Sequence, residues 1–316
     1  MLRSFLSGVI LAATALPGPP ASALEPVRVA AGVYAFVGDT GPVSAANAGH
    51  TGNSGFIVGP TGVVVIDTGT THRHGVRMLE AIRRVTDRPI ELVILTRAVQ
   101  EAVFGASAFT GAILAAHRET VTLMRARCAQ CLERLLPLLE TELDGTRLLI
   151  PETVYDGPAI IEAGGMRLQL LHFGWASTPG DVALWHAESG VLFAGGLVSN
   201  GRVPEIRDCD FDGWRAALSE LGRLPAKRVV PGHGPVSGRQ AIDATRRYLD
   251  ALDSRVRELY AANTGLLDAL EQADLSEFSG WGSYDSLHRR NTLHRYLQLE
   301  IEDLGGDPRS VSMPQQ

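Results

Sequence analysis

The feature that most constrains this chain is a set of short, wholly apolar runs that stop abruptly at turns rich in glycine. Residues 63–66 (Val-Val-Val-Ile) run into Asp67-Thr68-Gly69, residues 92–95 into Thr96, residues 191–193 into Ala194-Gly195-Gly196, and residues 228–230 into Pro231-Gly232-His233. Runs this short are strands, and because they lack polar alternation they read as strands covered on both faces. Helical patterns fall between them, at 73–85 with Val76, Leu79 and Ile82 at helical spacing, at 118–143, at 214–224, and again beyond Arg239. Further strands are expected at 27–37 (broken by Gly32), 55–58, 113–115, 159–161, 166–171 and 182–185. The order predicts β-sheet flanked by helices, and the segment after Thr264 reads as a helical appendage of that unit.

Composition narrows the function. The chain has 316 residues, is 45% hydrophobic and 20% charged, and carries a formal charge of −6. That is ample for a packed core and excludes disorder, while an acidic balance without Lys/Arg clusters argues against a nucleic-acid surface. Arg3, an apolar stretch from Phe5 to Leu16 and the small residues Ala21-Ser22-Ala23 read as a secretory signal peptide over residues 1–23. The alternative, an uncleaved anchor, is disfavoured because the stretch is short and Pro17 to Pro20 break it. We therefore expect an exported chain with one main domain over 24–263, a helical extension over 264–304 and a polar tail over 305–316.

Cys128 and Cys131 form a C-x-x-C inside a helical pattern rather than at a helix start, so they lack the dipole that lowers a redox thiol's pKa. A local disulfide or two packing thiols are the readings left open. Cys209, flanked by Asp208 and Asp210, is expected to have a raised thiol pKa.

Five stretches, in order, resemble the metallo-β-lactamase superfamily: residues 53–59 (NSGFIVG), 63–69 (VVVIDTG), 177–181 (STPGD), 191–196 (VLFAGG) and 230–235 (VPGHGP). Within it the chain is similar to the exported subgroup linked to pyrroloquinoline-quinone and sulfur-oxidation systems. The resemblance implies an αββα sandwich, two mixed sheets with outer helices, and zinc-dependent hydrolysis of thioester, lactone or lactam-type bonds. It also implies a periplasmic or secreted location and a quinoprotein or cytochrome partner.

Carried over residue by residue, the ligand pattern is degenerate. Where the family has H-x-H-x-D-H after the strand, this chain has Arg97, Val99, Glu101 and Ala102; the next histidine is Ser177, the bridging aspartate is Gly196, and only His233 matches. Zinc needs about three protein ligands and an open position. The expectation is therefore no bound metal, no catalytic residue, and a pocket formed by Asp67, Arg97, Val99, Glu101, Ala102, Ser177, Gly196 and His233. In it the Arg97 guanidinium would stand in for the metal's charge, paired with Asp67 or Glu101; the alternative is an arginine turned to solvent. The function expected is that of a non-catalytic accessory or small-molecule-binding protein, with an active hydrolase using a weak metal site around His233 as the competing reading.

Other constellations rank lower. His72 and His74 lie about 200° apart at a helix start and read as surface residues. His172 reads as a packed or hydrogen-bonded strand-end residue, Ser177 lacks a base and an oxyanion hole, and His50, His117, His186, His288 and His294 have no ligand-spaced partners.

Overall fold

The structure is a computed structural model that describes residues 23–310. The expected leader over 1–23 therefore lies outside the described residues except for Ala23, as do the last six residues of the tail. Among the described residues no helix is long and apolar enough to cross a membrane.

Two sheets face each other. The first has seven strands in chain order: β1 (Val27–Ala30), β2 (Val33–Phe36), β3 (Ser54–Val58), β4 (Val63–Ile66), β5 (Ile90–Leu95), β6 (Ile113–His117) and β7 (Thr153–Tyr155). Its first four strands pair antiparallel and β4 to β7 pair parallel, so the sheet is mixed. The second sheet runs β8 (Ala159–Ala163), β9 (Met166–Leu171), β10 (Ala183–His186), β11 (Val191–Ser199) and β12 (Arg228–His233), antiparallel except for the parallel β11/β12 pair. The expected αββα sandwich is what forms.

Ile57, Val64, Ile66 and Ile94 of the first sheet meet Leu168, Leu184, Phe193 and Val230 of the second in one buried cluster. The opposite face of the first sheet is covered by α1 (His72–Val85) and α3 (Arg118–Leu139), with the one-turn α2 (Gln100–Val103) between them. The second sheet is covered by α4 (Phe211–Leu221) and α5 (Gln240–Ala261). Burial on both sides explains why β4, β5 and β11 read as unbroken apolar runs.

The segment after Thr264 forms α6 (Leu266–Gln272) and α7 (Arg289–Asp303), and its Leu287, Tyr296 and Leu299 join the same core as α4 and α5. Between α5 and α7 the carboxylate of Asp253 accepts from Arg295 Nε at 2.7 Å, Arg257 Nε at 3.0 Å and Arg215 Nη2 at 2.9 Å. Arg295, only 1% exposed, also donates to Glu302 at 2.8 Å and Gln298 at 3.2 Å.

Three expectations are corrected. The helix expected over 118–143 ends at Leu139, two residues after the helix-breaking Pro137, and continues as a 3₁₀ turn over Glu140–Leu143. The three-residue strand β7 was not foreseen; it is only half buried, so no apolar run marks it. His74 is not at the surface: it is 1% exposed, beneath Gly69 and edge-on to His50 at 4.5 Å.

All three cysteines are free thiols, so the pair in α3 packs without a disulfide. The Cys209 thiol is raised, as expected, but burial is the main cause and the flanking aspartates are secondary.

Candidate functional site

The site lies where strands of both sheets end. β5 delivers Thr96 and Arg97, β12 ends on His233, and β11 contains Gly196 and leads into Arg202. Two fixings hold these ends. Thr96 donates from its backbone N and its Oγ1 to the two oxygens of Asp67, both at 2.7 Å, tying the β5 turn to the end of β4. Asn53 donates to the carbonyls of Pro231 at 2.8 Å and Gly234 at 2.7 Å, bracketing His233 from the start of β3.

Asp67 is thus a structural carboxylate. It adopts a left-handed φ of 55°, an unusual conformation for a residue other than glycine. Burial raises its pKa to about 7, against the lowering effect of the Thr96 hydrogen bonds and the Arg97 charge.

Arg97 turns inward and pairs with Glu101, not Asp67. Its Nη2 donates to Glu101 Oε1 at 3.1 Å and lies 2.9 Å from His233 Nε2. On the other side of the ring, Arg202 Nη1 lies 2.6 Å and the Thr51 carbonyl oxygen 2.9 Å from Nδ1. His233 is therefore held between two guanidinium groups. Burial first, then Arg202 and Arg97, lower its pKa to about 4 against the opposing pull of Glu101. Burial alone would raise the Glu101 carboxyl, but the His233 hydrogen bond and the guanidiniums of Arg97 and Arg202 hold it well below the usual carboxylate range. At neutral pH the cluster is two cations, one anion and a neutral imidazole.

Two glycines make room for this arrangement. A Cβ on Gly196 would lie 2.7 Å from both Cδ and Nη1 of Arg97, so the guanidinium occupies the volume a side chain at 196 would need. A Cβ on Gly52 would lie 2.3 Å from Cγ of Glu101.

The remaining pocket positions serve the scaffold. Val99 precedes α2 and accepts the Ala102 N–H at 3.0 Å, and the Ala102 carbonyl accepts from Thr68 Oγ1 at 2.7 Å. Ser177 is 5% exposed and donates to Asp181 Oδ2 at 2.8 Å, so its hydroxyl holds a carboxylate in place. Arg97, Val99, Glu101, Ser177, Gly196 and His233 share one cleft, with about 100 Å³ of room.

A sequence profile of the metallo-beta-lactamase superfamily matches residues 48–96 and 147–233, the segments carrying both strand-end fixings and His233. This is a metallo-beta-lactamase fold. The metallo-beta-lactamase FIM-1 from Pseudomonas aeruginosa, solved in a mono-zinc form, superposes with a TM-score of 0.59 at 16% identity over 73% of this chain and 97% of that one. Among curated proteins, metallo-beta-lactamase type 2 of Bacteroides fragilis is 26% identical over 108 residues, covering 33% of this chain and 43% of its own length. Linear primary-alkylsulfatase of Pseudomonas sp. (strain ATCC 19151) is 22% identical over 301 residues, covering 80% of this chain and 56% of its own length. The chain thus spans about half the length of these two curated relatives.

Against that fold, the donors present do not fit zinc. Among the described residues no group of three or more His, Cys, Asp or Glu side chains is placed to hold a metal ion. At His233 Nε2, the ring nitrogen facing the cleft, stands a guanidinium that stays protonated at any accessible pH and repels a dication. Val99 and Ala102 offer no side-chain donor, and Gly196 offers space already taken by Arg97.

Sequence reasoning missed Arg202 and the Thr51 carbonyl. Arg202 belongs to no motif; its one signal is its place, just beyond the end of a buried strand, as with Arg97 and His233.

His172 is hydrogen-bonded, its Nδ1 lying 2.9 Å from the Asp181 carbonyl, and it stacks on His117 at 3.9 Å. Sequence spacing had not paired these two rings.

Proposed function

We propose that this protein is a non-hydrolytic member of the metallo-beta-lactamase fold in which the Arg97 guanidinium takes the place of the metal. The observation that carries the reading is the single contact set of Arg97 Nη2, 2.9 Å from His233 Nε2 and 3.1 Å from Glu101 Oε1, in the volume left by Gly196. A positive charge still sits between a histidine and a carboxylate, so the pocket keeps its electrostatic balance. It lacks an open coordination position and an activated water, which hydrolysis in this fold requires. What remains is a small charged cleft suited to binding.

On this reading the protein is exported and works as an accessory or ligand-binding component beside a quinoprotein or cytochrome. The leader-like residues 1–23 and the resemblance to the quinoprotein-linked subgroup support that placement.

The test is metal content and hydrolysis measured together on the purified protein. The expected result is far less than one zinc per chain and no turnover of thioester, lactone, lactam or alkyl sulfate substrates. Near-stoichiometric zinc, or turnover, that disappears in a His233→Ala variant would overturn the reading and favour a hydrolase with a rearranged site around His233.

A further inference from the structure

Donors and acceptors in the cleft do not balance. A neutral imidazole has one bare nitrogen. With the proton on Nδ1, the ring donates to the Thr51 carbonyl and accepts from Arg97; with the proton on Nε2, it donates to Glu101, 3.3 Å away, and accepts from Arg202. One ring therefore satisfies only one of the two guanidiniums at a time.

Arg97 has Glu101 in either case. Arg202 has no carboxylate within ion-pair distance among the described residues. Its Nε is enclosed and has no hydrogen-bond partner among them. With Nη1 directed at His233, the edge formed by Nε and Nη2 is the side of the fork that no protein acceptor fills. A buried guanidinium N–H without an acceptor is costly, and the paired N–H groups of such an edge match the two oxygens of an oxyanion.

We propose that the cleft binds a small monocarboxylate, its two oxygens on the Nε/Nη2 edge of Arg202 and its short apolar tail against Val99, Val203, Trp214 and Leu287. Those four side chains line the same cleft as both arginines, and they favour an organic acid over an inorganic anion. This inference rests on the preceding reading, because the ligand meets guanidinium groups and not a metal. The relevant chemistry is binding alone; no bond is made or broken.

The experiment is calorimetric titration of the metal-analysed protein with sodium acetate, propionate and butyrate, and separately with sodium sulfate. Saturable carboxylate binding is expected, tightening by about fourfold or less per methylene. Arg202→Gln removes a charge-assisted pair and weakens propionate binding by about tenfold or more. Arg202→Lys, which keeps the charge but loses the fork, also weakens it, while Arg239→Gln on the exposed surface leaves it unchanged.

Absence of saturable propionate binding, or binding indifferent to both Arg202 variants, overturns the proposal. Sulfate binding as tight as propionate overturns the carboxylate assignment. Zinc in the same preparation overturns the underlying reading instead, so the two failures are distinguishable.

Discussion

Two arginine clusters in this molecule use the same side chain in opposite ways. Between α5 and α7, Arg295 is almost wholly enclosed, yet Asp253, Glu302 and Gln298 take up its donors, and Asp253 is shared with Arg215 and Arg257. In the cleft, Arg97 and Arg202 converge on one imidazole and one carboxylate, and the enclosed Nε of Arg202 is left without an acceptor. The first cluster is closed by the protein and holds helices together. The second is incomplete without something further. A buried arginine thus indicates stability where the protein fills its fork and binding where it does not.

The largest expected effect breaks the closed cluster. Asp253→Ala leaves three guanidiniums facing each other, one of them enclosed, and should cost about 3–5 kcal/mol of unfolding free energy in urea titration. A loss below about 1 kcal/mol would show that this network is no more than a surface array.

The two regions should also respond to acid in different windows. His233 titrates at about 4 in the folded chain and near 6.5 unfolded, so the unfolded state binds more protons between those values. Stability should fall as pH drops from 6.5 towards 4, by at most about 3 kcal/mol from this ring. Asp253 acts lower. Burial raises its carboxyl, but Arg295, Arg215 and Arg257 outweigh that and hold it below the usual value, so its contribution is complete above the unfolded pKa and is lost as pH falls further. Denaturant midpoints across pH for His233→Asn and Asp253→Asn should flatten the upper and lower windows respectively. If one variant flattened both, the regions would not be independent.

Arg97→Ala should cost less, about 1–3 kcal/mol, because it removes one charged hydrogen bond but leaves Glu101 near His233 and Arg202. The smallest effect is expected for Arg202→Gln without added ligand, within about 1 kcal/mol of the parent, since it removes a donor that has no acceptor. A large loss there would mean that the protein itself completes the Arg202 fork and would undo the comparison.

The sandwich was legible in the sequence because β4, β5 and β11 are buried on both faces and so contain almost nothing but apolar residues and glycine. β7 was not, because a half-buried Thr-Val-Tyr has no distinguishing pattern. Arg97, Glu101 and His233 could be placed together across 136 positions only through the order of the glycine-bearing turns, since no spacing rule links ends of separate strands. His74 was misread because a helix's first turn normally faces solvent; here the close approach of Gly69 encloses it. Arg202 had no sequence signal beyond its position after β11, and its unfilled fork is visible only in three dimensions.

Zinc titration of the chelator-stripped wild-type protein tests the central claim most directly. If the Arg97 guanidinium holds the metal position between His233 and Glu101, calorimetry should show no saturable zinc uptake at micromolar concentrations. One tightly bound zinc per chain, abolished in His233→Ala, would contradict it.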